Sequence, residues 1–254
     1  MLAPTGSAAT GILAVGDFGV GGVQQRALGA AMRAYEARNP SQLLVTMGDN
    51  DYTEGRAFAR SWRESFGWLR GAGVDVAGAL GNHDIRYRRG RYQFGLLGMP
   101  GPYYVRRVIE VEVIVLDSNA VTPGQTRWLR RTLARRTGLR RIAVFHHPPY
   151  TCGTYLGHPA VQRSWVPLFE RYGVRLVLNG HDHNYQRFVT RGVTYVVHGG
   201  GAGLRPVKRC PRSYPPRPGF GTVRGFVHLT VESTGFLVRI VDYLGRTVDR
   251  FRVT

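Results

Sequence analysis

The sequence predicts an α/β fold with parallel strands. Two observations lead there. Through Leu80, short apolar runs alternate with longer segments of helical composition, the rhythm of a strand–helix–strand unit. The runs 11–15, 43–47 and 74–80 also each stop at a glycine followed by Asp or Asn, as strands do when they turn at a sheet rim.

Residues 11–15 read as a buried strand ending at Gly16-Asp17. Residues 23–38 are alanine-rich and read as a helix that Asn39-Pro40 stops. Residues 43–47 form a second strand closing on Gly48-Asp49, 58–70 read as helical, and 74–80 lead into Gly81-Asn82. Residues 103–107 and 108–116 read as neighbouring strands. Residues 126–136 read as a helix with Trp128, Leu129 and Leu133 on one face and arginines around the rest. Strand 141–145 ends at His146, helix 164–172 follows, and strand 174–178 ends at Asn179-Gly180-His181. The pattern then turns β-rich, with strands at 193–198, 226–231, 236–241 and 247–253. The Pro/Arg/Gly-rich segment 205–221 is a long loop, a kind that is often functional. No linker or repeat divides the chain. Residues 11–254 are therefore expected to form one domain, preceded by an N-terminal extension, 1–10.

The chain has 254 residues and a formal net charge of +19. Lys208 is the single lysine among 35 basic residues. So one-sided an arginine bias reads as a coding habit, and no nucleic-acid motif accompanies it. Specific nucleic-acid binding is not expected, although such a surface attracts anions. No run of 18 apolar residues exists, so no membrane span is expected. Cys152 and Cys210 are compatible with one disulfide or with two unrelated thiols. A disulfide would point to an oxidising compartment. Residues 1–10 are too short and too weakly apolar for a secretory signal. The expectation is a secreted or cell-envelope protein whose signal is absent from this chain, with a cytoplasmic location as the alternative.

Chemistry concentrates at five places. They read Gly16-Asp17-Phe18-Gly19, Gly48-Asp49-Asn50-Asp51-Tyr52, Gly81-Asn82-His83-Asp84, Phe145-His146-His147-Pro148-Pro149 and Gly180-His181-Asp182-His183. Each lies at or near the end of an expected strand, where open α/β sheets gather their ligands. Alone, each motif is an ordinary cap or turn. Together, Asp17, Asp49, Tyr52, Asn82, His146, His181 and His183 offer seven donor side chains. One metal takes three or four protein ligands, so seven suffice for two metals sharing a carboxylate.

In this order the motifs resemble the five-motif signature of the calcineurin-like metallophosphoesterases, over residues 12–254. The resemblance implies a four-layer α/β/β/α sandwich of two mixed sheets flanked by helices, with two metal ions at the sheet rim. Many members carry Asp-x-His in the first motif, and that histidine binds the first metal. Gly19 stands at that place here and cannot ligate. The second motif instead reads Asp49-x-x-Tyr52, which resembles the purple acid phosphatase branch, where a tyrosinate replaces the histidine. A hard phenolate favours a hard trivalent ion, so Fe(III) is implied at the Tyr52 site, with Fe(II), Zn or Mn at the second. Carried over residue by residue, the first ion would take Asp17, Tyr52, His183 and a bridging Asp49. The second would take Asp49, Asn82, His146 and His181. His147 makes the fourth motif ambiguous. His146 is preferred because the family places a proline two residues after its ligand, and Pro148 fits.

The implied activity is hydrolysis of phosphomonoesters on small phosphorylated substrates by metal-activated hydroxide. His83 is the candidate general acid for the leaving alkoxide, with Asp84 holding its imidazole. Asn82, His83 and His158 are the candidates for substrate contact. His158 sits in the loop after the fourth motif, where purple acid phosphatases carry substrate-binding histidines. Arg86, Arg88, Arg89 and Arg91 read as a solvated loop that could also draw phosphates in. Two other readings stay in view. A phosphodiesterase acting on cyclic nucleotides or nucleic acid would use a similar centre, and Tyr52 with Gly19 disfavours it. A non-catalytic anion- or nucleic-acid-binding scaffold would be expected to miss some ligands, whereas all seven positions are filled.

Overall fold

The apolar runs become strands of two mixed sheets in the computed structural model, which describes residues 10–201, 203–215 and 219–254. In the first sheet, β1 (Gly11–Val15), β2 (Leu43–Met47) and β3 (Asp75–Ala79) run parallel. Three later strands extend it antiparallel from β1. In the second sheet, β4 (Tyr104–Val108) pairs antiparallel with β5 (Val111–Val115). β6 (Arg140–Val144), β7 (Leu176–Asn179) and β9 (Val193–His198) continue parallel to β5, and β8 (Tyr185–Thr190) turns back against β9. β10 (Gly219–Gly221) pairs with β8 at the edge. The strands β11 (Gly225–Glu232), β12 (Gly235–Asp242) and β13 (Thr247–Val253) complete the first sheet.

Side-chain alternation defines the layers, because successive residues of a strand face opposite sides. Val113, Val115, Ile142, Val144, Leu176 and Leu178 join the first-sheet core. Leu28 and Met32 of α1 (Gly22–Glu36) and Trp62 and Phe66 of α2 (Phe58–Phe66) belong to that core too, as does Leu69 of α3 (Trp68–Gly71). The intervening Ile114, Ala143 and Val177 pack instead with Leu129 of α4 (Pro123–Ala134), Val161 of α5 (Pro159–Ser164) and Phe169 of α6 (Val166–Tyr172). The order is helices, sheet, sheet, helices, the expected four-layer α/β/β/α sandwich.

Several boundaries differ from expectation. The helix expected at 126–136 starts at Pro123, because the Thr122 hydroxyl accepts the Gln125 N–H at 3.1 Å and caps it. The helix expected at 164–172 is two helices, α5 and α6, with Trp165 between them. β8 has no counterpart among the expected strands. It is half of a hairpin closed by Arg191 (φ 46°) and Gly192 (φ 74°), both left-handed as a tight two-residue hairpin turn requires. The expected extension 1–10 lies outside the described residues except for Thr10. Thr10 is buried, and its carbonyl accepts the Val231 N–H at 2.9 Å.

The parallel strands bring both sheets to one rim. The loops there are tied together: Asp17 N–H donates to the Gly48 carbonyl (2.9 Å), Gly180 N–H to His146 (3.1 Å) and Gly201 N–H to Gly16 (3.1 Å). All five motifs meet at this seam.

Candidate metal centre

Three rim residues sit on left-handed backbone: Asp17 (φ 58°), Asp49 (φ 51°) and His181 (φ 72°). A non-glycine residue pays about 1–2 kcal/mol for this conformation, and such strain gathers at functional sites. Short-range bonds hold it in place. Both carboxylate oxygens of Asp17 accept the His181 N–H, at 3.1 and 2.9 Å. The His83 N–H donates to Asp49 Oδ1 at 2.9 Å. Gly48, just before Asp49, has φ 89°, and a Cβ there would lie 2.6 Å from His146 Nδ1. Only glycine fits.

The seven candidate side chains converge in two groups. Tyr52 Oη lies 3.3 Å from His183 Nε2, which lies 3.4 Å from Asp17 Oδ1. His146 Nε2 lies 3.2 Å from Asn82 Oδ1, 3.2 Å from His181 Nδ1 and 3.5 Å from Asp49 Oδ2. Donor atoms of Asp17, Asp49 and His146 fall within 4.8 Å of one another and join the groups. His146 Nδ1 donates to the Met47 carbonyl at 2.9 Å, which leaves Nε2 as the lone-pair nitrogen of the neutral ring.

Lone pairs facing each other at 3.2–3.5 Å repel unless a proton or a cation lies between them. Donors about 2.0–2.2 Å from one shared ion are spaced this way. The donor set therefore fits a metal. The titration behaviour points the same way. Burial pushes His146 down, but the carboxylates of Asp49 and Asp17 outweigh it and lift the imidazole to about 10. A proton takes the cation's place when no metal is there. Burial, reinforced by the Asp17 and Asp49 carboxylates, pushes the Tyr52 phenol far up. Only a nearby cation would make it a phenolate. Burial and then His146 push His181 down to about 3, so its ring stays a neutral donor.

One expectation is corrected. Asp84 does not hold the His83 imidazole. Its Oδ1 accepts from Asn50 N–H (2.9 Å), Asp51 N–H (3.0 Å) and Gln93 Nε2 (2.7 Å). Its Oδ2 accepts from Gly81 N–H (2.7 Å) and Asn50 Nδ2 (2.9 Å). The carboxylate is fully buried and its acceptor capacity is filled. Asp84 pins the second motif to the third. Burial, with the Asp49 charge, raises its carboxyl to about 7. His83 itself is half-buried, with its ring 4.4 Å from the Tyr52 ring.

His158 lies nearby but is committed locally, since its Nδ1 accepts the Val161 N–H at 3.4 Å and caps α5. Its ring is 5.6 Å from that of His147, which is 4.5 Å from that of His181. Both histidines of the fourth motif thus reach the cluster, and His146 is the one facing Asn82 and Asp49. His147 turns Nδ1 to the Ser118 hydroxyl at 2.9 Å. Arg88, Arg89 and Arg91 line an open pocket with Tyr92, whose hydroxyl donates to Asp51 in the second motif.

Sequence reasoning missed Tyr155, whose ring stacks on His181 at 4.1 Å, and Arg205, whose guanidinium donates to the Tyr155 hydroxyl at 2.7 Å. Neither carries a motif. It also left the two cysteines open. Cys152 and Cys210 form a disulfide that joins the loop after β6 to the loop after β9.

The calcineurin-like phosphoesterase family model matches residues 10–185, and the chain belongs to that family. It is a phosphoesterase, a hydrolase of a family that uses metal ions, with a candidate ligand group at the sheet rim. Among curated proteins it is similar to tartrate-resistant acid phosphatase type 5. The human protein is 29% identical over 136 residues, spanning 51% of this chain and 42% of that protein. The mouse protein is 25% identical over 293 aligned residues, spanning 93% of this chain and 88% of that protein. Among solved structures, yellow lupin purple acid phosphatase PPD1 superposes with a TM-score of 0.82 at 17% identity, covering 99% of this chain and 55% of that one. GAP50, the anchor in the inner membrane complex of Plasmodium, gives 0.82 at 15% identity, covering 98% of this chain and 89% of that one. At such identities the superpositions speak to fold alone.

Proposed function

We propose that the protein is a dinuclear metal-dependent phosphatase that hydrolyses phosphomonoesters in the manner of a purple acid phosphatase. The observation that carries this is the division of seven donors into two facing groups linked by Asp49 and Asp17. Asp17, Tyr52 and His183 would hold the first ion with Asp49 shared, and Asn82, His146 and His181 would hold the second with Asp49. Fe(III) suits the Tyr52 site, because only a strongly charged ion overcomes the burial that keeps this phenol protonated. Fe(II), Zn or Mn suits the second. When bound, such a pair supplies Lewis acidity and lowers the pKa of water.

The chain's own residues do the remainder. The His83 N–H fixes Asp49 Oδ1, and the half-open His83 ring donates a proton to the leaving alkoxide. Asn82 orients substrate beside it. His158 contacts substrate only through Nε2, because Nδ1 is committed to the helix cap. The substrate is a phosphorylated small molecule, with no specific nucleic acid as partner. No helix among the described residues is long and apolar enough to cross a membrane. The disulfide supports an oxidising compartment, and a secreted or cell-envelope location is proposed. The same fold serves in an anchor protein, but a filled donor set argues against a purely scaffolding role here.

Metal analysis with a visible spectrum, alongside hydrolysis of mono- and bis-p-nitrophenyl phosphate, tests this reading. Two ions per chain, a visible absorption band and a monoester preference are expected. A clear diester preference, or activity with a single ion, would sink it.

A further inference from the structure

Two loops interlock beside the metal donors. One follows the fourth motif and runs through Cys152, Tyr155 and Gly157. The other follows β9 and runs through Arg205, Cys210 and Tyr214. The disulfide joins them. So do Lys208 N–H to the Cys152 carbonyl (2.6 Å) and Gly157 N–H to the Tyr214 hydroxyl (2.7 Å). Arg205 N–H donates to the carbonyl of His183, itself one of the seven donors, at 2.8 Å. This fixes the arginine backbone to the rim.

The side chains extend the order outward. The Tyr155 ring lies on the His181 imidazole at 4.1 Å and 26°, and the Arg205 guanidinium is held at the Tyr155 hydroxyl. Arg205 therefore stands one aromatic ring beyond the donor set. From that flank its charge is felt by His181 and Tyr52, and it can meet the organic part of an ester whose phosphoryl group the donors would hold. Among the described residues, no carboxylate lies within ion-pair distance of Arg205, whereas many acidic side chains of this arginine-rich chain are already paired. Tyr155, 38% exposed, and Leu156, 80% exposed, give the organic part an apolar flank.

We propose that Arg205, steadied by Tyr155, is a specificity-determining residue that binds a second oxyanion carried on the alcohol side of the phosphate ester. The substrate class is then a phosphomonoester with an additional carboxylate or phosphate. A planar guanidinium fork suits either group. The proposal rests on the phosphatase reading above and goes further by naming the substrate's second charge.

The test uses the metal-loaded protein and two esters of matched size, 4-carboxyphenyl phosphate and 4-carbamoylphenyl phosphate. The readout is the ratio of their kcat/KM values, which cancels losses common to both. Wild type is expected to favour the carboxylate about fivefold, the upper end of what an exposed ion pair supplies. Arg205→Gln should bring the ratio to about one, and Arg205→Lys should keep part of the preference. Tyr155→Phe, which keeps the ring on His181 and removes the hydroxyl, should fall between. An equal ratio in wild type and Arg205→Gln would overturn the proposal while leaving the phosphatase reading intact. Hydrolysis of neither ester by wild type would overturn both.

Discussion

The backbone N–H of Tyr52 donates to the carbonyl of Gly19 at 2.9 Å. The Gly19 N–H in turn donates to the Asp49 carbonyl at 3.2 Å. A Cβ on Gly19 would stand 2.2 Å from the carbonyl carbon and oxygen of Asn50. A missing side chain at position 19 and a donor at position 52 are therefore a single structural fact. The loop that delivers Tyr52 occupies the space a side chain at 19 would need. Gly19→Ala should destabilise the fold by about 1–3 kcal/mol, the usual cost of overpacking. Gly19→His should not restore metal binding to a Tyr52→Phe protein. A stable Gly19→His protein with restored metal would break the link.

Tyr52→Phe should abolish any visible absorption of the iron-loaded protein and leave its circular dichroism unchanged. The phenol hydroxyl faces other candidate metal donors, His183 Nε2 at 3.3 Å and the Asp49 carboxylate, so its loss should barely disturb the fold. A spectrum that survives the substitution would show that another residue is the chromophoric ligand.

Asp49→Ala should lose both metals and reduce activity to background, since this carboxylate borders both donor groups. Metal content of the dialysed variant checks it. Two ions retained at full rate would refute the shared-carboxylate assignment.

Asp84→Asn places an amide where five donors converge, and at least one would meet another donor. An unsatisfied buried donor costs about 1–3 kcal/mol, so a loss of that order is expected in denaturant unfolding. Because Asp84 does not touch the His83 ring, the pH–rate profile of the folded variant should keep its shape. A shifted limb would restore Asp84 to a role in proton transfer.

His198 and His228 are buried, and neither ring has a hydrogen-bond partner among the described residues. Burial pushes His198 down to about 4, and burial together with Arg239 does the same to His228. The unfolded chain takes up these protons near pH 6.5. The stabilisation is fully present above that pH and is lost as pH falls toward 4, because there the unfolded state binds more protons. At pH 5 the loss should be about 2 kcal/mol per histidine. Unfolding curves at pH 7 and pH 5 test this, and replacing both histidines with phenylalanine should shrink the difference, leaving the part that His147 and His181, also pushed down by burial, contribute.

The strands that deliver the donors were legible because each is an apolar run cut off by Gly and a polar residue, a local signal. β1 and β2 match expectation to the residue. β8 was not legible: Tyr185-Gln186-Arg187-Phe188 places polar and aromatic residues without clean alternation, and its role depends on pairing with β9. The donor set was readable because its order along the chain is distinctive. The Asp84 network was not, because its partners Asn50 and Gln93 come from separate segments and nothing local tells a cap from a clamp. Tyr155 and Arg205 were invisible for the same reason. Their meaning lies in a stack that crosses two loops.

Asp17, Asp49 and His181 hold a backbone shape that glycine would adopt without strain. A library screened only for heat resistance should therefore enrich glycine at these positions, and each gain would delete a donor. Stabilising this chain by heat selection alone would gain melting temperature at the expense of chemistry unless these three positions were frozen first.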